Sequence, residues 1–397
     1  PNFRLKVIGI SLKDGGGILP AGHSADAAYW FDDAIGGWIS STWYMKELPA
    51  WVQKFNAEGR AQKYLAQDWN PLYPIKTYLQ SMADDSPYEG KFKGTTSSTF
   101  PIKTSELAKT NGVGTIRSTP YGNTLTFDLA KEAIANENLG ADDITDFLAV
   151  SLSSPDYIGH QFTPNSTKTE DAYLRLDRDF ADFFQYLDKK VGKGQYTVFL
   201  TADHGGAHNP FFLQEHKLPG DSWSTSKPLK ELNEILKDKY NFEKIVLSLD
   251  NNQVHLNNIL IREDKLDEAA IRKDIMEFFR YRDGVAWAVD MTEIDRAAIP
   301  AAIKERIVNG YNPERSGAIT IVLKPGWIPS QGRTGSNHGH WSPYDSQIPL
   351  VWMGWGIKQG RLSRETHMTD IAPTVSTLLR VQQPSGSIGK PIIEALK

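Results

Sequence analysis

Three short segments place histidine close to aspartate in patterns that could hold a metal ion. Thr201-Ala202-Asp203-His204-Gly205-Gly206 follows directly on the apolar run Val198-Phe199-Leu200. A carboxylate and an imidazole at a strand end suit a Zn²⁺ ligand pair, and two glycines let the chain turn tightly. The plainer reading of the hexapeptide is an Asp-capped turn with a hydrogen-bonded histidine. Ser154-Pro155-Asp156-Tyr157-Ile158-Gly159-His160 sets Asp156 and His160 four residues apart. That spacing converges on one ion from a turn or a first helical turn. Alone, its plainer reading is an N-cap aspartate with an incidental surface histidine. Ser336-Asn337-His338-Gly339-His340 precedes Tyr344-Asp345 and the apolar run Ile348 to Met353. One of its histidines could complete a tetrahedral set, or the loop could simply be polar. Three such loops, each beside a predicted core strand, are hard to attribute to chance, and they could meet at one edge of a sheet.

A fourth segment is Ser11-Leu12-Lys13-Asp14-Gly15-Gly16-Gly17. A lysine beyond a strand, in a glycine-rich turn, can hold a phosphoryl oxygen while backbone N–H groups approach closely. A solvated loop lysine is the commoner case. The order Gly-Lys-Ser/Thr is absent, so this is not a Walker motif. His208 lies four residues after His204, a spacing that would suit a shared ion, but it follows two turn-forming glycines. His23 could belong to a site or merely bond to its turn. His216, His255 and His367 stand alone. Trp30, Trp38, Trp43 and Trp51 read as packing residues and not as a cofactor box.

The elements that must position these loops are legible as short apolar runs. Leu5 to Ile10, Phe147 to Leu152, Thr197 to Thr201 and Ile348 to Met353 read as buried parallel strands, each followed by turn or polar residues. Amphipathic helices fit Asn123 to Asn136 and Ala172 to Val191. Strands alternating with helices predict an α/β fold, a three-layer sandwich with a mostly parallel central sheet. Sites in such folds lie beyond the carboxyl ends of the strands. Residues 24–105, rich in Trp, Tyr, Pro and Gly, read as a surface insertion or cap. Residues 210–330 read as an inserted small α/β subdomain. Its predicted elements are a helix Lys227 to Tyr240, strands Ile245 to Leu249 and Val254 to Ile261, a helix Leu266 to Phe279, and strands Val285 to Val289 and Ala318 to Leu323. The core is then 1–209 with 331–397.

The chain has 397 residues, 40% of them hydrophobic, enough for a large core with a second unit. Net charge is −4 without a basic stripe, which argues against a nucleic-acid partner. No run of about 18 apolar residues occurs, so no membrane span is expected. With no cysteine, a metal must be held by His and carboxylates. The first residues run straight into a predicted core strand and show no signal-peptide pattern, which suggests a chain that begins partway through a longer one.

Together, SLKD, SSPDYIGH, TADHGG, NHGH and the terminal THMTDIAPTVSTLL and IGKPI resemble the alkaline phosphatase superfamily. More closely, they resemble its phosphate-irrepressible, PafA-type alkaline phosphatases, over essentially the whole chain. The resemblance implies two Zn²⁺ ions, one held by Asp156, His160 and His338, the other partly by Asp203 and His204. It implies hydrolysis of small phosphate monoesters by a monomer, periplasmic or secreted. The phospho-threonine intermediate would form on a nucleophile upstream of Pro1, as would the remaining aspartate ligand and a substrate asparagine. Lys13, Asp14 and Gly15 occupy the substrate-binding triplet, with Lys13 catalytic. The family usually has Lys-x-Arg there, and Gly15 departs from it. Loss of a charged hydrogen bond is worth on the order of 1.5–3 kcal/mol. The alternatives are a phosphodiesterase or nucleotide pyrophosphatase with the same metal site, and a metal-binding but inactive fragment.

Overall fold

A computed structural model describes residues 5–329 and 332–397. The expected boundary at 330–331 and the first four residues lie outside the described residues. The strands run β1 Val7–Ser11, β2 Ala27–Asp32, β3 Gly37–Ile39, β4 Phe147–Ser151, β5 Thr197–Thr201, β6 Asp221–Trp223, β7 Val246–Asp250, β8 Gln253–Leu256, β9 Val285–Asp290, β10 Ile319–Leu323, β11 Trp327–Pro329 and β12 Leu350–Gly354.

The central sheet has the order β3-β2-β1-β4, with β1 parallel to both β2 and β4 and β3 antiparallel at the edge. β5 and β12, expected among the buried parallel strands, instead pair antiparallel with each other apart from the central sheet, and Leu200, Val351 and Met353 are exposed. Four consecutive residues of β1 are buried, so both its faces are covered. On one face sits the helix Asp14–Ala21. A Cβ on Gly9 would lie 2.0 Å from the Gly17 carbonyl oxygen, so only glycine allows that approach. On the other face Ile8, Ile10 and Leu12 enter a cluster with Leu125, Leu129 and Ala133 of the helix Tyr121–Asn136. These are the layers of an α/β sandwich. β4 and β5 carry no fully buried residue, and the Phe147 and Phe199 rings stack at 6.4 Å between them.

Three further expectations need correction. The glycine-rich segment after β1 is not a turn but a helix, Asp14–Ala21, with Lys13 at its N-cap. Glycine disfavours a helix by about 1 kcal/mol per residue. Here close packing overrides propensity, since a Cβ on Gly16 would meet Ser11 Oγ at 2.5 Å. Second, residues 27–39 are not surface insertion, because β2 pairs directly with β1 and Trp38 is buried. Third, the strand expected over Val254 to Ile261 stops at Leu256. Asn257 then caps a helix, Asn258–Glu263, its side chain accepting from Leu260 N at 3.2 Å.

Residues between Trp223 and Trp327 build a second hydrophobic cluster over the antiparallel sheet β7-β8-β10-β9. Segment 69–78 is tied to the helix Thr167–Leu187 by one buried carboxylate. Asp171 accepts from Trp69 Nε1 at 2.6 Å, Leu72 N at 2.6 Å, Arg175 Nε at 2.7 Å and the Tyr78 hydroxyl. Asp171→Ala should therefore cost about 3–5 kcal/mol, because it strands a charged partner and two buried donors. Urea denaturation checks this; a loss below about 1 kcal/mol would contradict the assignment.

Candidate active site

Asp156 and His160 lie on the helix Ser154–Phe162, which opens directly after β4 with Pro155 in its first turn. A spacing of four puts both on one face, and His160 Nε2 is 3.2 Å from Asp156 Oδ1. His204 Nε2 lies 3.8 Å and His338 Nε2 3.5 Å from the same oxygen. The His204 and His338 rings stack with centroids 3.4 Å apart. Asp203 Oδ2 is 3.5 Å from His204 Nε2, and its side chain is 86% exposed. Ligand atoms of Asp156, His160 and His338 all lie within 4.8 Å of one another, a possible metal-binding triad. Asp156, His160, His204 and His338 thus meet in one cluster, whereas Asp203 stands exposed at its rim, in contact with its neighbour His204.

Two imidazoles are oriented by backbone carbonyls. His160 Nδ1 bonds Ser336 O at 2.9 Å, and His204 Nδ1 bonds Gly205 O at 2.8 Å. Committing Nδ1 leaves Nε2 facing the cluster, the arrangement typical of metal-ligating histidines. The loops themselves are laced together. Gly205 N donates to Asp345 O at 2.6 Å, Ala207 N to Asn337 O at 3.0 Å, and Ser336 N to His160 O at 2.9 Å. Gly205 serves close approach here and not a positive φ, because a Cβ would sit 2.3 Å from Tyr344 O.

Lys13 reaches the cluster from the end of β1. Its ammonium bonds Asp156 Oδ2 and lies 4.7 Å from the centre of the Tyr157 ring. Asp14 is exposed, and Gly15 faces open space, with only Leu19 Cδ1 at 3.9 Å from an added Cβ. Burial raises the Asp156 pKa, but hydrogen bonds from His160 and Lys13 outweigh it and hold the carboxyl well below the usual range. The bond to Asp156 raises His160, against burial. Burial, then the neighbouring His204, lowers His338.

The remaining histidines fall outside the cluster. His340 is buried, and both its nitrogens are spent, Nε2 on Leu323 O at 3.1 Å and Nδ1 on Ser342 N at 3.0 Å. His208 Nδ1 bonds Asn165 Oδ1 at 2.7 Å. His23 and His367 are exposed, and His216 bonds Phe212 O. Sequence reasoning missed Tyr157 under Lys13 and Asp345, whose carboxylate accepts from His340 N at 2.6 Å. Adjacency to Asp156 was the one signal for Tyr157; nothing in the sequence marked Asp345 as a loop organiser.

A strand-end cluster of His, Asp and Lys on an α/β sandwich suits a metal-assisted hydrolase. The model of the type I phosphodiesterase / nucleotide pyrophosphatase family matches residues 7–345, and the chain belongs to that family. It is 50% identical over 396 residues to alkaline phosphatase PhoV of Synechococcus elongatus, covering 100% of this chain and 71% of the relative. It is 48% identical over 397 residues to alkaline phosphatase PafA of Elizabethkingia meningoseptica, covering 100% and 72%. A relative from Myroides odoratus named calcium-transporting ATPase is 52% identical, covering 100% and 73%. The crystal structure of PafA superposes with a TM-score of 0.96 at 47% identity, covering 100% of this chain and 76% of that one. The chain is a phosphatase.

Imidazole resonances of the metal-free protein should show His160 titrating above the ordinary value of 6.5 and His338 below it. A raised histidine pKa gives stability that is full below 6.5 and lost as pH rises through the folded-state value. Asp156→Asn should bring His160 back toward 6.5 and flatten that dependence; an unmoved His160 would show that Asp156 is not its partner.

Proposed function

We propose that this phosphatase hydrolyses phosphate monoesters at a site for two Zn²⁺ ions, through a phospho-threonine whose residue lies outside this sequence. The observation that carries the reading is the convergence of Asp156, His160, His204 and His338 on one point, with Lys13 beside it. The donor set fits zinc: nitrogen and oxygen only, with two imidazoles already presenting Nε2. Asp156, His160 and His338 would hold one ion, and Asp203 and His204 part of the other. Zinc would lower the pKa of a bound oxygen nucleophile and neutralise leaving-group charge. Within the chain, Asp156 keeps its carboxylate ionised, as a ligand must be. The Lys13 ammonium stands where it can offset charge on phosphoryl oxygens, and the Tyr157 ring supports it from one side. A periplasmic or secreted, monomeric enzyme goes with this reading on the resemblance alone.

A phosphodiesterase is the second reading, favoured by the matching family model and by Gly15 in place of an arginine. The ratio of rates on an aryl phosphate and an aryl methyl phosphodiester decides between them. Zinc content without hydrolysis of either, restored when an upstream segment of a relative is supplied, would instead support the inactive-fragment alternative.

Two outcomes are expected. Chelator-competition titration should show Asp156→Ala weakening Zn²⁺ by on the order of 100-fold, while His208→Ala stays within about threefold of the unsubstituted chain. Equal zinc affinity in both would end the assignment of Asp156 as a ligand. Gly15→Arg has open space to enter and, in a protein that includes the upstream nucleophile segment, should raise kcat/KM on the monoester by on the order of 10–100-fold. A preference shifted toward the diester would contradict the monoesterase reading.

A further inference from the structure

We propose that Arg117 is a positioning residue for Lys13, fixing the strand end from which the ammonium reaches the site. The proposal rests on the reading of Lys13 as the phosphoryl contact. The β1–β2 ladder ends at Ser11↔Trp30. One residue further on, the carbonyls of both strands receive the same guanidinium: Nη1 donates to Leu12 O at 2.6 Å and Nη2 to Phe31 O at 2.7 Å. Nε donates to Asp33 Oδ1 at 2.8 Å. Nη1 also lies 3.5 Å from the Tyr157 hydroxyl.

Arg117 therefore holds the carbonyl that immediately precedes Lys13, and it stands at the hydroxyl end of the ring on which Lys13 rests. Its guanidinium carbon is 5.7 Å from the centre of that ring, and Lys13 Nζ is 4.7 Å from it, so Tyr157 contacts both cations. Arg117 is only 15% exposed and leads from the 3₁₀ turn Val113–Ser118, which packs against the helix bearing Asp156. One side chain thus couples the end of β1, the end of β2 and the metal-ligand helix. Lysine cannot replace it, because three separate acceptors need the planar fork of a guanidinium.

The test is the rate at which trace acylation labels Lys13, followed by peptide mass spectrometry, with Lys103 and Lys131 of the same molecule as internal references. Arg117→Lys keeps the charge and loses the fork; Arg117→Met loses both. In Arg117→Lys, Lys13 should label about threefold to tenfold faster, the effect of losing a hydrogen bond or two, while the references stay unchanged. An unchanged Lys13 rate overturns the proposal. A parallel rise at all three lysines in both variants also overturns it, since Arg117 would then support the fold and not Lys13. Inorganic phosphate binding separates this from the functional reading. Failure of the zinc-loaded, unsubstituted chain to bind phosphate would sink the role given to Lys13, and the labelling result would still stand.

Discussion

Asp156 is the group on which the site depends. Its carboxylate, 17% exposed, touches the Lys13 ammonium with one oxygen and faces three imidazoles with the other. A carboxylate this far from water is costly unless paired. Here the pairing comes from His160 on the same helix and from Lys13, His204 and His338 on separate segments, so burying the charge and assembling the site are the same event. The hydrogen bonds that hold Asp156 ionised and lift His160 are two sides of that one contact.

What keeps the loops in register is mostly backbone. The strand-end loop at His204 is bonded to Tyr344, Asp345 and Asn337, and the Asn337 loop is bonded in turn to His160. The Tyr88 carbonyl accepts from Gly335 N at 2.8 Å and Gly90 N donates to Gln161 O at 2.7 Å, so the 82–90 segment braces the same loop and helix. That segment is anchored by Lys168, fully buried between Asp84 and Glu89 at 2.7 Å each. A wholly buried lysine is tolerated only with such partners. The brace thus runs from the interior out to two of the imidazoles.

Close approach recurs wherever the chain must pass near the site. Gly9 lets the Lys13 helix lie against β1, and Gly205 lets the histidine loop touch the Tyr344 backbone. At Gly15 nothing presses, and the missing side chain leaves room and no contact. The glycines that close packing demands are therefore distinct from Gly15, where no neighbour requires one.

The α/β class, the position of the β1, β4, β5 and β12 runs and the four clustered residues were legible in the sequence, but not that β5 and β12 pair antiparallel with each other. Apolar runs with polar ends report strands through solvent exclusion, and His with Asp reports a donor set through chemistry. Both are properties of neighbouring residues. The helix at Gly15-Gly16-Gly17 was not legible, because local propensity opposes it and only packing on β1 and Ser11 supplies the compensation. Nor could residue types and spacing separate His338 from His340; only the family resemblance named His338. They differ by two positions in one loop, and only the fold commits both nitrogens of His340 to backbone partners. The residue types determined what chemistry was available. Tertiary structure alone decided which of them meet, since hydrogen-bond partners more than a hundred residues away are set by how the layers pack.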